Sequence, residues 1–469
     1  MHYDNLIIGA GLSGLAAGIR LAHFGKKTCV VESHSVPGGL NSYYRRSKRS
    51  FNVGLHAFTN YVPAGTRGTA LAKLLRQLRL RHEDLGLVEQ TFSRIAFPSC
   101  ELRFSNEFEL LRSQVEEKFP GEIDNFSRLD QRIQDFDETA LEQEIFSAHG
   151  EVGKFISDPL LLNLLFCPIL FYGSASENDM PFHTFALLWK ALYRAGFAYP
   201  EGGMKAVLDL LTGKFTESGG ELRLGARVER IDVRDGLARE AVLSSGDRIT
   251  ADRIFSSAGY VETMRLCGAG ESNCAEVGKI SVAEYIACLD CQSRDLKIED
   301  TIIFFSCNDD FAYRRPDCLA DFASGVIAMP DNYRHREPWP EGMVRVVSLA
   351  NYDKWFELLN ADNPRQAEPA HRRAYEEAKN NCAREMIAVA GKIVGDFSQH
   401  IVFSDLFTPL TLKRYTGHLQ GTLYGSPGKK LNGATPFANL YIVGTDQGFL
   451  GIVGAMLSGI SIANLHGLS

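Results

Sequence analysis

Leu6-Ile7-Ile8-Gly9-Ala10-Gly11-Leu12-Ser13-Gly14 joins a compact apolar run to a glycine-rich turn. The segment from Tyr3 to Ile8 reads as a buried parallel strand. After the turn, Leu15, Ala16, Ile19, Leu21 and Ala22 form a helical pattern that stops near Gly25. Thr28 to Val31 is a second strand, closed by Glu32. In this setting Gly9 permits the tight turn, Gly11 lets the backbone approach a pyrophosphate, and Gly14 allows close helix–strand packing. The helix start then offers free amides and a positive dipole end to the anion. Glu32 can accept hydrogen bonds from ribose hydroxyls, and it would repel a 2′-phosphate. A bare G-x-G-x-x-G is often only a glycine-rich turn; the flanking strands and helix make this one a dinucleotide site.

Working outward, a loop with Gly38-Gly39 precedes two extended segments, Asn41–Tyr44 and Ser50–Val53. Between them, Arg45-Arg46-Ser47-Lys48-Arg49 reads as a solvated hairpin tip, with a membrane headgroup contact as the other reading. Thr69 to about Tyr193 is mainly helical. Gly220–Val233 reads as a hairpin, and a further strand from Arg253 ends in Ser256-Ser257-Ala258-Gly259. Ser281–Leu289 and Val344–Ala350 are strand-like, Glu368–Val394 is helical, Leu440–Gly444 is a strand, and Ile452–Leu465 is a small-residue helix.

The chain has 469 residues, enough for two to four structural units. Its net charge of −7 excludes a general affinity for nucleic acid. Its 10 cysteines form no regular framework, and a reducing, cytoplasmic setting is expected. The N-terminus does not read as a secretory signal. The longest apolar segment, Pro159–Tyr172, is too short to span a bilayer, so any membrane contact is expected to be peripheral.

Three features favour FAD over a nicotinamide cofactor. Gly38-Gly39 follows Glu32 closely. A late strand ends in Gly444-Thr445-Asp446 and leads to a glycine-rich helix start at Gly448–Gly454. There is no second strand–GxGxxG–helix unit, since Gly268-Ala269-Gly270 lacks the flanking pattern. Together, GAGLSG at Gly9–Gly14, Glu32 with Gly38-Gly39, and GTDQGFLGIVGAMLSG resemble the flavin amine oxidase and phytoene desaturase superfamily. FNVGLHAF at Phe51–Phe58, YPEGGM at Tyr199–Met204, TPLTLKRYTG at Thr408–Gly417 and GTLYG at Gly421–Gly425 resemble its carotenoid desaturase, carotenoid isomerase and retinol saturase branch.

The resemblance implies non-covalent FAD. Glu32, followed by Ser33, would hold the adenosine ribose. Gly38-Gly39-Leu40 would run along the pyrophosphate and ribityl chain, and Gly54-Leu55-His56 would pass beside the isoalloxazine ring. Val228 would contact adenine, and Ala258 would lie against the cofactor. Gly444, Thr445 and Asp446 would meet the ribityl or pyrophosphate oxygens. Ile452-Val453-Gly454 would sit near the pyrimidine edge. Two positions depart from many relatives: Leu40-Asn41 follows the paired glycines where they place Arg, and Asn52 stands where they often have Asp. No cysteine lies beyond Cys382, so a thioether-linked flavin lacks an obvious attachment residue.

His56 is the candidate general acid or base, or else a structural histidine. Arg414, Tyr415 and Tyr424 are candidate substrate contacts, or braces of a domain interface. Cys288-Leu289-Asp290-Cys291 is a lone C-x-x-C in a strand-like run, without a second pair or histidine cluster, so no metal is expected. Phe166, Phe171, Phe185, Phe304 and Phe305 suit either a tunnel for a polyene or ordinary core.

The expected fold is α/β: a glutathione-reductase-like, Rossmann-type FAD-binding domain with an inserted α+β substrate domain. The FAD domain takes residues 1–68, 199–265 and 416–469. The substrate domain takes 69–198, mainly helical, and 266–415, strands and helix. The implied activity is flavin-dependent desaturation, saturation or isomerisation at a carbon–carbon bond of an apolar polyene or terpenoid. An amine or amino-acid oxidase and a non-catalytic flavin-binding protein are the other two readings.

Overall fold

Arg248–Ser256 is the strand on which the first sheet is assembled. It pairs in parallel with His2–Ile8 and with Leu440–Ile442, and antiparallel with Leu237–Leu243. His2–Ile8 in turn pairs in parallel with Thr28–Val31, which pairs in parallel with Glu221–Arg223. The pleat sends Ile7 and Val30 to one face and Leu6, Ile8, Cys29 and Val31 to the other. Helices Leu12–Ala22, Gly203–Glu217 and Gly451–Ile462 cover the first face, and helix Tyr260–Leu266 packs on the second. This computed structural model describes residues 1–54, 56–137, 144–269 and 276–468. The architecture is the expected α/β one, with a Rossmann-type sheet built from both ends of the chain and the stretch 221–256 between them.

A second 7-stranded sheet runs Ile401–Phe407, Ser281–Leu289, Gly342–Ala350, Ser324–Ala328, Ile302–Ser306, Ser93–Ala96, Glu101–Phe104. One face packs on Trp355, Tyr375, Cys382, Met386 and Ala390 from helices Tyr352–Leu359 and Pro369–Val394. The other face looks toward the first sheet. Two of its strands come from the mainly helical stretch after Thr69, where short strands interrupt the helices. In that stretch Phe166 and Phe185 pack with each other, and Phe185 with Trp189, as core. Helix Pro159–Gly173 is buried along most of its length, and among the described residues no helix is long and apolar enough to cross a membrane.

One expectation fails in an instructive way. Gly220–Val233 is not a hairpin: Glu221–Arg223 and Val228–Arg234 lie at opposite edges of the first sheet. The hairpin is the next one, Val228–Arg234 with Leu237–Leu243, turning at Asp235-Gly236. Both turn residues have positive φ, 52° and 71°, and Asp-Gly is the dipeptide that favours this geometry. The basic run does form a hairpin, Tyr43–Arg46 with Arg49–Asn52, but it is not wholly solvated. Arg46 pairs with Asp405 at 2.7 Å, and Arg49 pairs with Glu341 at 2.5 Å, pinning the hairpin to the second sheet's side of the molecule.

Backbone approaches backbone where the first and last helices cross. A Cβ on Gly14 would overlap the Gly9 carbonyl, and a Cβ on Gly459 would overlap the Ser13 carbonyl. Gly459→Ala is therefore expected to destabilise the fold by about 1–3 kcal/mol, the scale of overpacking. Gly213→Ala, in a helix where an added Cβ meets nothing within 4 Å, is expected to be neutral or stabilising by up to about 1 kcal/mol. Denaturant unfolding of both variants checks the opposite signs.

Candidate functional site

The parallel pairing brings Ile8, Val31, Ser256 and Ile442 into line at one edge of the first sheet. The segments that leave these carboxyl ends, at Gly9, Glu32, Ser257 and Gly444, line one cavity of about 530 Å³. Open parallel sheets bind ligands at such an edge. Helix Leu12–Ala22 begins there with Gly11 as N-cap and no side-chain cap, so its first amides are free for an anion. An added Cβ on Gly11 would meet nothing within 4 Å, so the turn presents bare backbone to open space. Helix Gly451–Ile462 also starts at this cavity without a side-chain cap, through Leu450, Gly451 and Ile452. Two positive helix ends thus face one cavity.

Glu32 is 7% exposed and held from three sides. Oε2 accepts from the Ala10 amide at 2.8 Å, and Oε1 accepts from the His34 amide at 2.9 Å and the Ser33 hydroxyl at 3.1 Å. The carboxylate is locked beside the glycine turn. Two uncapped helix starts, a fixed carboxylate and an uncluttered turn fit a flavin nucleotide.

Most of the expected cofactor residues come together here. Gly9, Gly11, Leu12 and Ser13 line the cavity, as do Glu32 and Ser33, then Gly38, Gly39 and Leu40. Gly54, His56, Val228 and Ala258 join them, with Gly444, Thr445 and Ile452. Leu55 lies outside the described residues. Asn41 donates to the Gly54 carbonyl at 3.4 Å and ties two of these loops together. Asn52 has a structural role that explains its amide: Nδ2 donates to the Tyr199 hydroxyl at 2.6 Å, and Oδ1 accepts from the Met204 amide at 2.9 Å. An ionised Asp could only accept.

Five expected cofactor contacts do not line the cavity. Ala10 is buried beneath the turn and spends its amide on Glu32. Gly14 packs on Gly9, and Val453 and Gly454 are buried in the first turn of the last helix, away from the cavity. Asp446 is the largest correction. It accepts from the Tyr260 amide at 2.7 Å and the Ser426 amide at 2.8 Å, and it pairs with Lys429 at 3.7 Å. A carboxylate that is 2% exposed must be paired in this way, and these partners leave it as a clasp between three chain segments. Burial pushes the Lys429 ammonium down from its ordinary value, with Asp446 opposing.

The three substrate candidates separate. Tyr424 lines the inner end of the cavity, and its hydroxyl donates to the Phe171 carbonyl. Tyr415 lines the other end, its ring 5.7 Å from that of His34, so it belongs to the end of the cavity that holds Glu32. Arg414 does not line the cavity. It is exposed, donates to Asn363 at 3.3 Å and lies over the Tyr415 ring. Successive helical residues diverge by about 100°, so Arg414 and Tyr415 cannot both face inward.

The inner end is walled by Phe171, Tyr172, Val282, Val326, Val347 and Leu349. Phe171 is the one member of the five phenylalanines that lines the cavity; Phe304 and Phe305 are core. His56 lies at this end, Nε2 3.1 Å from Glu284 Oε1. Arg345 donates to the same oxygen through Nε at 2.6 Å. Burial opposes ionisation of Glu284, and the Arg345 guanidinium and then His56 outweigh it, holding the carboxyl down at about 2. Glu284 and Arg345 were missed in the sequence reading, although the signal is there: each is the lone charge in an apolar strand, SVAEYIACL and GMVRVVSLA.

Glu262 and His418 form a second missed pair on the cavity wall, with His418 Nδ1 3.8 Å from Glu262 Oε1. Burial works against both charges. The mutual attraction wins, lowering the Glu262 carboxyl and raising the His418 imidazole. The lone C-x-x-C does not lie within one strand: Cys288 is buried in the strand, and Cys291 lies beyond its end. The tertiary structure does place His400 and Asp290 beside Cys291, one ligand atom from each within 4.8 Å, a cluster invisible in a linear reading. There Asp290 Oδ1 and His400 Nδ1 already satisfy one another at 2.9 Å.

The sequence model of the family of flavin containing amine oxidoreductases matches residues 12–259, more than half of the chain. Over 99% of its length the chain is 22% identical to the chloroplastic prolycopene isomerase of Daucus carota, covering 80% of that protein. Over 98% of its length it is 23% identical to the all-trans-retinol 13,14-reductase of Danio rerio, covering 85% of that protein. An oxidoreductase from Methanosarcina mazei shares the fold, with a TM-score of 0.66 at 17% identity, over 99% of this chain and 100% of that one.

Two outcomes follow from this geometry. Glu32→Ala is expected to weaken flavin binding by about 1.5–3 kcal/mol, the cost of losing a hydrogen bond to a charged group, as measured by the cofactor dissociation constant. Glu284 is held at about 2 against an ordinary 4.5, so its stabilisation is present above 4.5 and is lost as pH falls toward 2. Glu284→Gln is expected to flatten that acid limb of the unfolding profile. It should also cost about 3–5 kcal/mol at neutral pH by leaving Arg345 buried without its counter-charge.

Proposed function

Because this chain belongs to the flavin-containing amine oxidoreductase family, we propose that it is an FAD-dependent oxidoreductase acting on a carbon–carbon bond of an apolar polyene or terpenoid. The bond would be desaturated, saturated or isomerised. The observation that carries this reading is the inner end of the cavity. Its walls are apolar and aromatic, and among the described lining residues no Lys or Arg stands there. Arg227 and Arg265 also line the cavity, but beside Val228 and on the helix that follows Ala258, at the nucleotide end. Arg345 is 1% exposed and engaged by Glu284. An amino-acid carboxylate would therefore find no available cation.

FAD, rather than a mononucleotide, suits the length of the site. The cavity runs from Val228 and Glu32 past the glycine turn to Gly54 and His56. A thioether link to the flavin would find no cysteine among the described lining residues. When bound, FAD supplies two-electron redox chemistry, and the chain's own residues do the rest. The free amides at Leu12 and Ser13 would bind the pyrophosphate, and Glu32 the ribose. Phe171, Tyr172, Val282 and Val347 would hold an apolar chain by burying its surface, worth roughly 25 cal/mol per Å². The same walls exclude water from the reacting bond. His56 faces this space as the group able to hold a proton. The names of the two relatives point the same way, because prolycopene and retinol are both polyenes.

The purified protein is expected to be yellow and to release FAD rather than FMN on denaturation. Retinoids and carotenoids delivered in detergent should change their absorption bands as the conjugated system lengthens, shortens or isomerises. Primary amines and amino acids should leave the flavin spectrum unchanged under anaerobic conditions. Bleaching by an amine, with every polyene inert, would replace this reading with an oxidase.

A further inference from the structure

We infer that Glu284 and Arg345 are positioning residues that hold His56 in one tautomer and one orientation, so that Nδ1 exchanges a proton with the substrate. This rests on the carbon–carbon chemistry proposed above, and it goes further by assigning the machinery that handles the proton. The strands that carry the pair lie side by side. Glu284 stands opposite Val347 and Arg345 opposite Ile286, so the two charges are diagonal neighbours on one face of the sheet. That face also carries Val282, Val347 and Leu349, which line the cavity. Glu284 Oε1 receives Arg345 Nε at 2.6 Å and Nη2 at 2.5 Å, and it meets His56 Nε2 at 3.1 Å.

Stability does not account for this arrangement. A buried ion pair gains little over an apolar pair of similar volume, and it becomes costly as soon as one partner is lost. In two strands whose remaining buried positions are mainly apolar, Val or Leu at both positions would fold as well. What the ion pair adds is a fixed acceptor at the cavity wall. Arg345 matches the charge of Glu284, so the carboxylate acts on His56 chiefly as a hydrogen-bond acceptor. It thereby keeps the proton of a neutral imidazole on Nε2. The histidine's backbone is fixed as well, because the Tyr333 hydroxyl donates to the His56 carbonyl at 2.9 Å. With Nε2 committed, Nδ1 is the remaining ring nitrogen, and it has no hydrogen-bond partner among the described residues.

The other titratable groups packed around this cluster are Tyr44, Tyr199 and Tyr333, with Asp405 behind Tyr44. Burial pushes all three phenols upward, so they stay neutral across the working range. In the saturating direction a C–H bond forms at the substrate carbon with the proton from Nδ1, and the imidazolium becomes neutral imidazole. FAD, when bound, would supply the accompanying hydride. Desaturation is the reverse, and the proton returns to Nδ1.

The test uses the FAD-loaded protein labelled with ¹⁵N-histidine. His56→Gln assigns the His56 signals, and a double variant, Glu284→Leu with Arg345→Leu, removes the brace without leaving a lone buried charge. In the wild type the neutral form of His56 should appear as the Nε2–H tautomer. In the folded double variant, with FAD affinity retained, it should average between tautomers. With a polyene that the wild type converts, kcat should fall roughly 10²-fold at little change in KM, and the histidine limb of the pH profile should move. An unchanged His56 tautomer in the folded double variant would overturn the inference, and so would a wild-type pH profile. If no polyene is converted by the wild type, the substrate reading fails, while the tautomer measurement still decides the brace.

Discussion

The backbone-on-backbone contact between the first helix, the glycine turn and the last helix is the constraint on which the rest depends. Gly14 lies against the Gly9 carbonyl and Gly459 against the Ser13 carbonyl, at separations that admit no side chain. That closeness lets a helix from the N-terminus and one from the C-terminus share a face of the same sheet. It also brings Gly444 against Ser13 at the glycine turn, so that two uncapped helix starts open on one cavity. Free amides cost little where water or an anion can reach them, and a good deal where nothing can. The close crossing therefore makes sense as a way to hold bare backbone at a ligand.

Two buried carboxylates show how differently the fold can use the same group. Asp446 spends its oxygens on two amides and Lys429, and joins three chain segments behind the cavity. Glu284 lies on the cavity wall, with its charge matched by Arg345 and His56 hung from the same oxygen. The first clasp is explained by assembly alone. The second places a titratable ring at an otherwise apolar surface, which a purely structural pair does not require. The difference lies in what each carboxylate faces, not in its residue type or its degree of burial.

Local signals were legible wherever a short stretch carries its own physical reason. The apolar strand, the glycine turn and the helix behind it were read to within a few residues, because each depends on neighbours in sequence. The hairpin misreading at Gly220–Val233 is the counter-case. Glu221–Arg223 finds its partner far away at Thr28–Val31, and the local turn signal at Asp235-Gly236 belonged to the next pair of strands. Arg414 and Tyr415 are neighbours in sequence, and the helix turns them apart.

What the sequence by itself determined is the nucleotide end of the site: the turn, Glu32 and the glycine-rich start of the last helix. That end is made of backbone geometry and a carboxylate at fixed spacing, and glycine and spacing are visible in one dimension. The tertiary structure alone decided the inner end. Glu284 and Arg345 are ordinary charged residues until strand register sets them diagonally on one face, and His56 is an ordinary histidine until its loop carries it to that face. A site made of side chains from three distant segments exists only through the packing that brings them together, and packing energies depend on neighbours in space rather than along the chain.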